Sequence, residues 1–253
     1  MKLTVVGCAG SFPRADSPCS CYLVEHDGFR LVLDMGNGAL GALQSHTDLL
    51  GIDAVLLSHL HADHCLDLCS TVVTRRYHPS GPVPRLPLWG PAGTHDRLAA
   101  AYDPTDTAGL HDVFDVDAVT AGVRELGPFR LTFALVNHPV ETYAVRVEAG
   151  GRSVVYSGDT AESDALVSLA RGADLFLCEA TFDEPAGRDA VPNPPGLHLT
   201  GGSAGAHAER AGVGMLLLTH IPAWSDVDRT VAEASTSFTG KLAAVRAGDT
   251  WTL

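Results

Sequence analysis

Long apolar runs are missing from this sequence. No window approaches the roughly 18 consecutive apolar residues of a membrane-spanning helix, so none is predicted. The apolar run at the N-terminus follows a single lysine and is interrupted by Gly7 and Gly10, a pattern that argues against a secretory signal peptide. We therefore expect a cytoplasmic protein that has no membrane partner.

Lysine is almost absent as well. Only Lys2 and Lys241 occur, the formal net charge is −13, and the longest basic cluster is the pair Arg75 and Arg76. Proteins that bind nucleic acids usually carry a basic stripe that displaces counterions from the phosphate backbone. Because this sequence has no such stripe, RNA is not an expected partner. A local site for a small anion remains compatible with the charge.

The six cysteines, at positions 8, 19, 21, 65, 69 and 178, follow no disulfide-rich spacing. Cys19 and Cys21 could form half of a zinc site, but no second cysteine pair completes it. In a cytosolic chain of this size such thiols stay reduced. We predict small buried thiols and no disulfides.

The sequence is rich in short apolar, β-branched runs separated by glycine turns. Runs joined by hairpin signals such as Asp27-Gly28 come first, and strands alternate with helical segments later, in both halves of the chain. This order predicts an α/β (α+β) protein, an αββα sandwich of two packed β-sheets with helices outside. The length permits a single domain over 1–253. The polar stretch 183–196 predicts a surface loop.

Residues 56–64, LLSHLHADH, crowd three histidines and an aspartate behind an apolar run. His59 and His61 alternate at the end of the predicted strand, so both side chains point the same way at a loop edge. Asp63 and His64 follow in the turn that opens a helix predicted to extend as far as Thr74. Imidazole nitrogen and carboxylate oxygen suit Zn²⁺, and also Mn²⁺ or Fe.

Three more donors follow apolar strands elsewhere in the chain. His138 ends LTFALVNH, Asp159 ends SVVYSGD and His220 ends MLLLTH. Since one divalent ion takes about four to six ligands, a site for two ions needs more donors than the first motif provides. A single histidine at a strand end is more often structural, but this many donors at strand ends favours a metal site in a common cleft.

Together, HLHADH, His138, SGDT and LTH resemble the metallo-β-lactamase fold superfamily over nearly the whole chain. The resemblance implies two divalent ions, zinc in the first place and manganese or iron as alternatives. It implies the following ligands: His59, His61 and His138 for one ion, Asp63, His64 and His220 for the other, and Asp159 with a hydroxide as bridges. β-Lactamases of this fold often have cysteine where Asp159 stands, so the aspartate favours a phosphoesterase branch.

Three further residues are candidates because of the same resemblance. Asp34 in LVLDMG resembles the structural aspartate that orients the ligand loop, with a plain turn residue as the alternative. Glu179 in LCEATF and His198 in LHLTGG resemble a pair in the tRNA 3′-processing endonucleases of this fold, where the histidine touches the scissile phosphate and the glutamate orients it. The alternative for His198 is a neighbour of a helix cap on a loop.

These residues suggest how a phosphodiester would be cleaved. His198 could donate a proton to the leaving oxygen, and Asp63 could accept a proton from the attacking water. The catalytic candidates are therefore Asp63, His198 and Glu179, and two metal ions would bind the phosphate and lower the pKa of a bridging water.

The segment between His138 and Asp159 indicates which class of substrate to expect. The endonuclease branch carries a long tRNA-binding arm there, whereas this chain has 20 residues that predict a plain hairpin. GCAGSFPRADSPCSCYLV, LLSHLHADHCLDL and LLLTHIPAWSD resemble an actinobacterial group of atypical class II cyclic-nucleotide phosphodiesterases, and Ala62 replaces the leucine of the usual class II form. That resemblance implies hydrolysis of a 3′,5′-cyclic nucleotide such as cAMP through a metal-bridging hydroxide.

Several alternatives stay open at this point. They are a tRNase Z-like 3′-tRNA processing endonuclease, a metal-dependent hydrolase of another small ester or thioester, and a non-enzymatic metal-binding module. The expected partner is a small-molecule phosphodiester, and the resemblance also implies a homodimer. Arg75, Arg76 and Tyr77 are candidates for base or phosphate contacts, or else form a solvated helix end.

Overall fold

The computed structural model describes residues 1–81, 83–105, 109–185 and 192–253. None of the helices in these ranges is long and apolar enough to cross a membrane. The middle of the loop predicted at 183–196 lies outside the described residues.

Two compact units divide the chain. The first comprises Met1–Val119 and Arg246–Thr252, and the second comprises Thr120–Val245 and Leu253. The single domain over 1–253 stays a prediction.

Across its described residues, the first unit contains a seven-stranded mixed sheet. In spatial order its strands are β14 (Thr250–Thr252), β1 (Lys2–Gly7), β2 (Cys21–His26), β3 (Phe29–Leu33), β4 (Ala54–Leu56), β5 (Leu86–Gly90) and β6 (Phe114–Ala118). The pairs from β14 to β3 are antiparallel, and those from β3 to β6 are parallel. Its helices are α1 (Ala39–Leu43), α2 (Ala62–Cys65), α3 (Leu68–Arg76) and α4 (Thr94–Tyr102), with a 3-10 turn at Leu49–Gly51.

The described part of the second unit has the same arrangement of antiparallel followed by parallel pairs. In spatial order its strands are β7 (Gly122–Leu126), β8 (Phe129–Leu135), β9 (Tyr143–Ala149), β10 (Arg152–Tyr156), β11 (Leu175–Glu179), β12 (Met215–Thr219) and β13 (Lys241–Ala244). The pairs from β7 to β10 are antiparallel, and those from β10 to β13 are parallel. Its helices are α5 (Asp164–Ala170), α6 (Gly201–Ala211) and α7 (Val227–Ser235).

Tight turns account for the hairpins that the sequence predicts. Asp27 and Gly28, between β2 and β3, have φ angles of 48° and 79°. Gly150 and Gly151, between β9 and β10, have φ angles of 58° and 72°. Two successive left-handed residues form the turn whose twist matches that of the flanking strands, and glycine and aspartate adopt it at little cost. Both hairpins are confirmed.

Each unit has its own hydrophobic core between its sheet and its helices. In the first unit, alternate residues of the strands such as Val32 and Val55 pack with Leu43 and Val72 of the helices. In the second, the core includes the following fully buried residues: Val155, Leu166, Phe176, Ala208 and Leu218. Each of these side chains larger than alanine contributes about 1.5–3 kcal/mol by burial, which holds the strand ends in fixed positions.

Helices α6 and α7 approach each other closely through two glycines. A Cβ atom at Gly201 would overlap the carbonyl oxygen of Thr230, and one at Gly205 would overlap that of Ala234. Glycine is required at both positions because backbone packs directly against backbone there.

The structure differs from the predicted elements in two places. The helix expected from Asp63 to Thr74 is divided into α2 and α3, because the backbone of Met35 donates to His64 O and accepts from Asp67 N, at 2.7 and 3.1 Å. These bonds replace regular helical ones. Elements α4, β6 and β7 were not predicted, since their charged residues obscure any apolar period.

Candidate metal centre

Four predicted donors of the first unit lie together after β4. Nε2 of His59 lies 3.0 Å from Nδ1 of His61, and Nε2 of His64 lies 3.5 Å from Oδ2 of Asp63. Ligands about 2.0–2.1 Å from a tetrahedral ion lie roughly 3.3 Å apart, so both pairs have separations that suit ligands of a common ion. All except His61 are buried.

Asp34 orients this donor set. It lies in the left-handed region, with φ 58°, and its side chain is fully buried. Its carboxylate accepts hydrogen bonds from Ser58 N (2.7 Å) and Ser58 Oγ (2.8 Å), and Oδ2 lies 2.7 Å from His64 Nδ1. Since a carboxylate only accepts, His64 carries its proton on Nδ1 and presents the Nε2 lone pair as a metal donor.

Ser58 extends the same control to His59. The single hydroxyl proton of Ser58 goes to Asp34, so Ser58 Oγ accepts from His59 Nδ1, which lies 3.0 Å away. His59 is therefore protonated on Nδ1, and its Nε2 lone pair faces His61. One buried carboxylate thus sets the tautomers of two histidines, His64 directly and His59 through a hydroxyl.

Asp63 is held by backbone on two sides. Ser11, whose φ is 64°, donates its N–H to Asp63 Oδ2 at 3.0 Å. A Cβ atom at Gly36 would overlap the Asp63 carbonyl oxygen, so the chain after β3 packs tightly against α2. The position of this carboxylate is fixed by residues distant in sequence.

The second unit places its candidates at one edge of its sheet. Strands β8, β10, β11 and β12 run in the same direction, so the segments that follow them leave from the same edge. These segments carry His138, Asp159 and His220, and β11 ends at Glu179. His220 Nε2 lies 3.5 Å from Asp159 Oδ1, and His138 Nδ1 donates to Leu197 O at 2.8 Å, which leaves the Nε2 lone pair of His138 as a donor.

Glu179 plays in this unit the part that Asp34 plays in the first. Its fully buried carboxylate accepts from Thr160 N (2.6 Å) and Thr181 Oγ1 (2.8 Å). Thr181 Oγ1 lies 2.8 Å from His220 Nδ1 and accepts from it, because the hydroxyl proton points to Glu179. His220, with φ 57°, is therefore protonated on Nδ1 and presents Nε2 towards Asp159.

His198 completes the second network. Its Nδ1 lies 3.0 Å from Glu179 Oε1 and 3.9 Å from Asp159 Oδ2. Its ring packs edge-on against Phe182 and beside His220, with centroid separations of 5.1 and 5.6 Å. Ligand-type atoms of Glu179, His198 and His220 lie within 4.8 Å of one another. Nδ1 is thus committed to a carboxylate, and chemistry at His198 must use Nε2.

Similarity to known proteins agrees with this donor chemistry. A family model described as a β-lactamase superfamily domain matches residues 30–221. Protein ML1173 of Mycobacterium leprae is 47% identical over 256 residues, covering 99% of this chain and 88% of that protein. The probable metallo-hydrolase YhfI of Bacillus subtilis is 33% identical, covering 99% of each chain. The crystal structure of YhfI, described as a metallo-β-lactamase fold protein, matches with a TM-score of 0.86 at 30% identity, covering 99% and 98% of the two chains.

The chain belongs to the metallo-β-lactamase fold superfamily. The predicted αββα fold class is confirmed. Ribonuclease Z of Mycobacterium bovis is also similar, with 31% identity covering 96% of this chain and 94% of that protein. Membership of this metallo-hydrolase family and the His/Asp donor sets support a metal-dependent hydrolase.

Within this metallo-β-lactamase fold, the structure also places the other predicted residues. Arg75 is buried and donates to Pro84 O, Arg76 forms a 2.6 Å ion pair with Asp112, and Tyr77 is exposed. A substrate contact by any of them stays a prediction. The hydrogen bonds to Asp112 raise the pKa of Arg76, while burial lowers that of Arg75.

Two hydroxyl residues of the site escaped the sequence analysis. Neither Ser58 nor Thr181 belongs to a motif that indicates a functional role. Ser58 directly precedes His59, and Thr181 stands two residues after Glu179. For Ser58, the available signal was a small hydroxyl residue directly before a candidate ligand histidine; Thr181 had no such neighbour. The predicted free cysteines are confirmed, and burial raises the pKa of Cys19 and Cys65 to about 12.

Proposed function

We propose that this protein is a phosphodiesterase that uses two divalent metal ions to hydrolyse 3′,5′-cyclic nucleotides such as cAMP. The observation that carries the proposal is the pair of donor sets, each oriented by a buried carboxylate and a hydroxyl. The proposed ligands are His59, His61 and His138 for one ion, Asp63, His64 and His220 for the other, and Asp159 for both. The ions, zinc first and manganese or iron as alternatives, supply water activation at neutral pH and neutralisation of phosphate charge.

The protein's own residues handle the protons in this proposal. His198 donates a proton from Nε2 to the leaving oxygen, while Glu179 keeps the ring oriented through Nδ1. Asp63 accepts a proton from the attacking water, and the Ser11 N–H holds its Oδ2 in place. Asp34 contributes by orienting the first donor set rather than by contact with substrate.

Two features support a small substrate. Residues 139–158 contain the β9–β10 hairpin, paired from Arg152 with Ala149 to Tyr156 with Val145, and no extended arm. The net charge of −13 would repel bulk RNA. A cyclic nucleotide carries one negative charge and needs no basic exterior.

The cytoplasmic location and the homodimer also remain proposals.

A tRNA 3′-processing endonuclease is the second candidate. It is favoured by the 3.0 Å bond between His198 and Glu179 and by the similarity to Ribonuclease Z. This function requires RNA binding that weakens steeply with salt, because phosphate contacts release counterions. If the protein does not bind RNA at low salt, the endonuclease function is wrong.

One preparation can test both candidates. Metal content is measured by elemental analysis, and the same sample is assayed with cAMP and with a tRNA precursor. We expect two ions per chain and conversion of cAMP to AMP. Asp159→Ala should abolish turnover without loss of fold, whereas Asp96→Ala, at a side chain that is 91% exposed, should change neither. Cleavage of the tRNA precursor alone would select the endonuclease. A metal-free, inactive protein would contradict the hydrolase proposal.

A further inference from the structure

Trp224 is the most exposed of the large hydrophobic residues in the described ranges, with 72% of its surface accessible to solvent. Of the other two tryptophans, Trp89 is buried and Trp251 is partly buried. Single exposed apolar residues are common and carry no argument by themselves. The position of Trp224 in the chain provides the argument.

Trp224 lies four residues after His220, one of the proposed metal ligands. It occupies the turn Pro222–Ser225, which is closed by a 3.0 Å hydrogen bond from Ser225 N to Pro222 O. Four residues of chain span at most about 14 Å. The backbone of Trp224 therefore lies no more than about 14 Å from that of His220, in the same unit as the second donor set.

The turn is anchored on both sides. Ile221, directly after His220, is 4% exposed and belongs to the core of the second unit. On the other side, Asp226 begins α7 by accepting hydrogen bonds from Asp228 N and Arg229 N, at 3.0 and 3.3 Å. Because the backbone is held on both sides, ordering the indole on a ligand restricts mainly the two side-chain torsions of Trp224, so little conformational entropy is lost.

The charge around the turn distinguishes which part of a nucleotide fits there. Asp226 and Asp228 stand two and four residues after Trp224 and are exposed. The nearest cationic group in sequence, Arg229, is already engaged with Glu233 (2.9 Å) and Asp183 (3.8 Å). A phosphate is disfavoured beside these carboxylates, whereas an uncharged aromatic base is not.

We propose that Trp224 binds the base of the cyclic nucleotide by stacking, and so helps to determine substrate specificity. The inference rests on the proposed phosphodiesterase function. Stacking of one base on an aromatic side chain typically changes affinity by about tenfold or more. The contact is distant from the reacting phosphate, so it acts on substrate binding rather than on the chemical step.

The test compares two substrates on the metal-loaded enzyme: cAMP, and a ribose 3′,5′-cyclic phosphate that lacks the base. We expect Trp224→Ala to raise KM for cAMP roughly tenfold with little change in kcat, and to leave KM for the base-free probe unchanged. Trp224→Phe should recover most of the affinity. Val123→Ala, which removes another exposed apolar side chain of the second unit, should change neither KM.

Three results would overturn the inference while leaving the phosphodiesterase function intact: an unchanged KM for cAMP, equal increases in KM for both probes, or a change in oligomeric state in Trp224→Ala. If the wild-type enzyme turns over neither probe, the proposed function itself is wrong, and the base contact is wrong with it.

Discussion

His198 Nδ1 lies 3.0 Å from Oε1 of Glu179, a carboxylate that is fully buried. The same relationship joins His64 to Asp34 at 2.7 Å in the first unit. In both cases the carboxylate also accepts from a hydroxyl, Ser58 or Thr181, which in turn accepts from a second histidine. Each unit therefore uses one buried negative charge to set the protonation sites of two imidazoles.

Glu179→Gln should disturb this arrangement. Both carboxylate oxygens of Glu179 accept hydrogen bonds, from Thr160 N and His198 Nδ1 on Oε1 and from Thr181 Oγ1 on Oε2. In glutamine an NH2 group replaces one of these oxygens, and it would face a donor instead of an acceptor. An unsatisfied buried group costs about 1–3 kcal/mol. We expect the free energy of unfolding in urea to fall by about that amount and kcat to fall at least roughly tenfold. Glu125→Gln, on the exposed side of β7, is the control and should leave both unchanged.

The hydroxyl of Thr181 can be tested separately. Thr181→Val removes the acceptor for His220 Nδ1 while keeping the side-chain shape, and metal affinity should fall about 10–100-fold. Thr181→Ser retains the hydroxyl and should restore most of the affinity. The measurement is zinc retention against a competing chelator. Equal retention in wild type and Thr181→Val would show that the hydroxyl does not orient His220.

The close approach of α6 and α7 predicts a contrast between two glycines. Gly205→Ala would force a methyl group against the Ala234 carbonyl and should destabilise the protein by about 1–3 kcal/mol. Gly41→Ala, in α1, has open space around its Cβ position and should be neutral or stabilise by about 0.5–1 kcal/mol. Denaturant midpoints measure both. A neutral Gly205→Ala would mean that the helices can separate without cost.

His207 predicts a pH dependence of stability. It accepts from Ser163 N at Nε2 (3.0 Å) and donates from Nδ1 to Ser203 O (2.8 Å), so it is neutral, and burial lowers its pKa from 6.5. The unfolded chain binds this proton more readily. The contribution of His207 to stability is therefore complete above pH 6.5 and is lost as the pH falls below that value.

The matched variant is His207→Gln, which can donate and accept but does not titrate. The difference in unfolding free energy between wild type and His207→Gln should shrink from pH 7.5 towards roughly pH 5. A difference that stays constant over this range would contradict a neutral, buried His207.

The cysteines predict slow reaction with thiol reagents. Five of the six are buried, and only Cys69 is partly exposed. Burial raises the pKa of Cys65 to about 12, so almost no thiolate exists at pH 8. We expect at most one thiol per native chain to react quickly with a disulfide reagent, and six after denaturation. Rapid reaction of several thiols in the native protein would contradict this burial.

Much of the candidate site was accessible from sequence because donor residues directly follow apolar strands. His59, His138 and His220 stand one to three residues beyond β4, β8 and β12. Apolar period and glycine turns predict where strands end, and within each sheet parallel strands bring their ends to one edge. The spacing in HLHADH is a local pattern, so no tertiary contact was needed to recognise it.

The division between sequence and tertiary structure is physical. By itself, the sequence determined which side chains can donate to a metal, where the hairpins turn, and which strands are buried on both faces, since these depend on residue type and short spacings. Only the tertiary structure decided which nitrogen of each histidine carries its proton. That choice depends on hydrogen bonds such as Ser58 to Asp34 and Thr181 to His220, 24 and 39 positions apart. Such bonds form only when separate strands pack to within an ångström of the right place, and no local pattern in the chain specifies that distance.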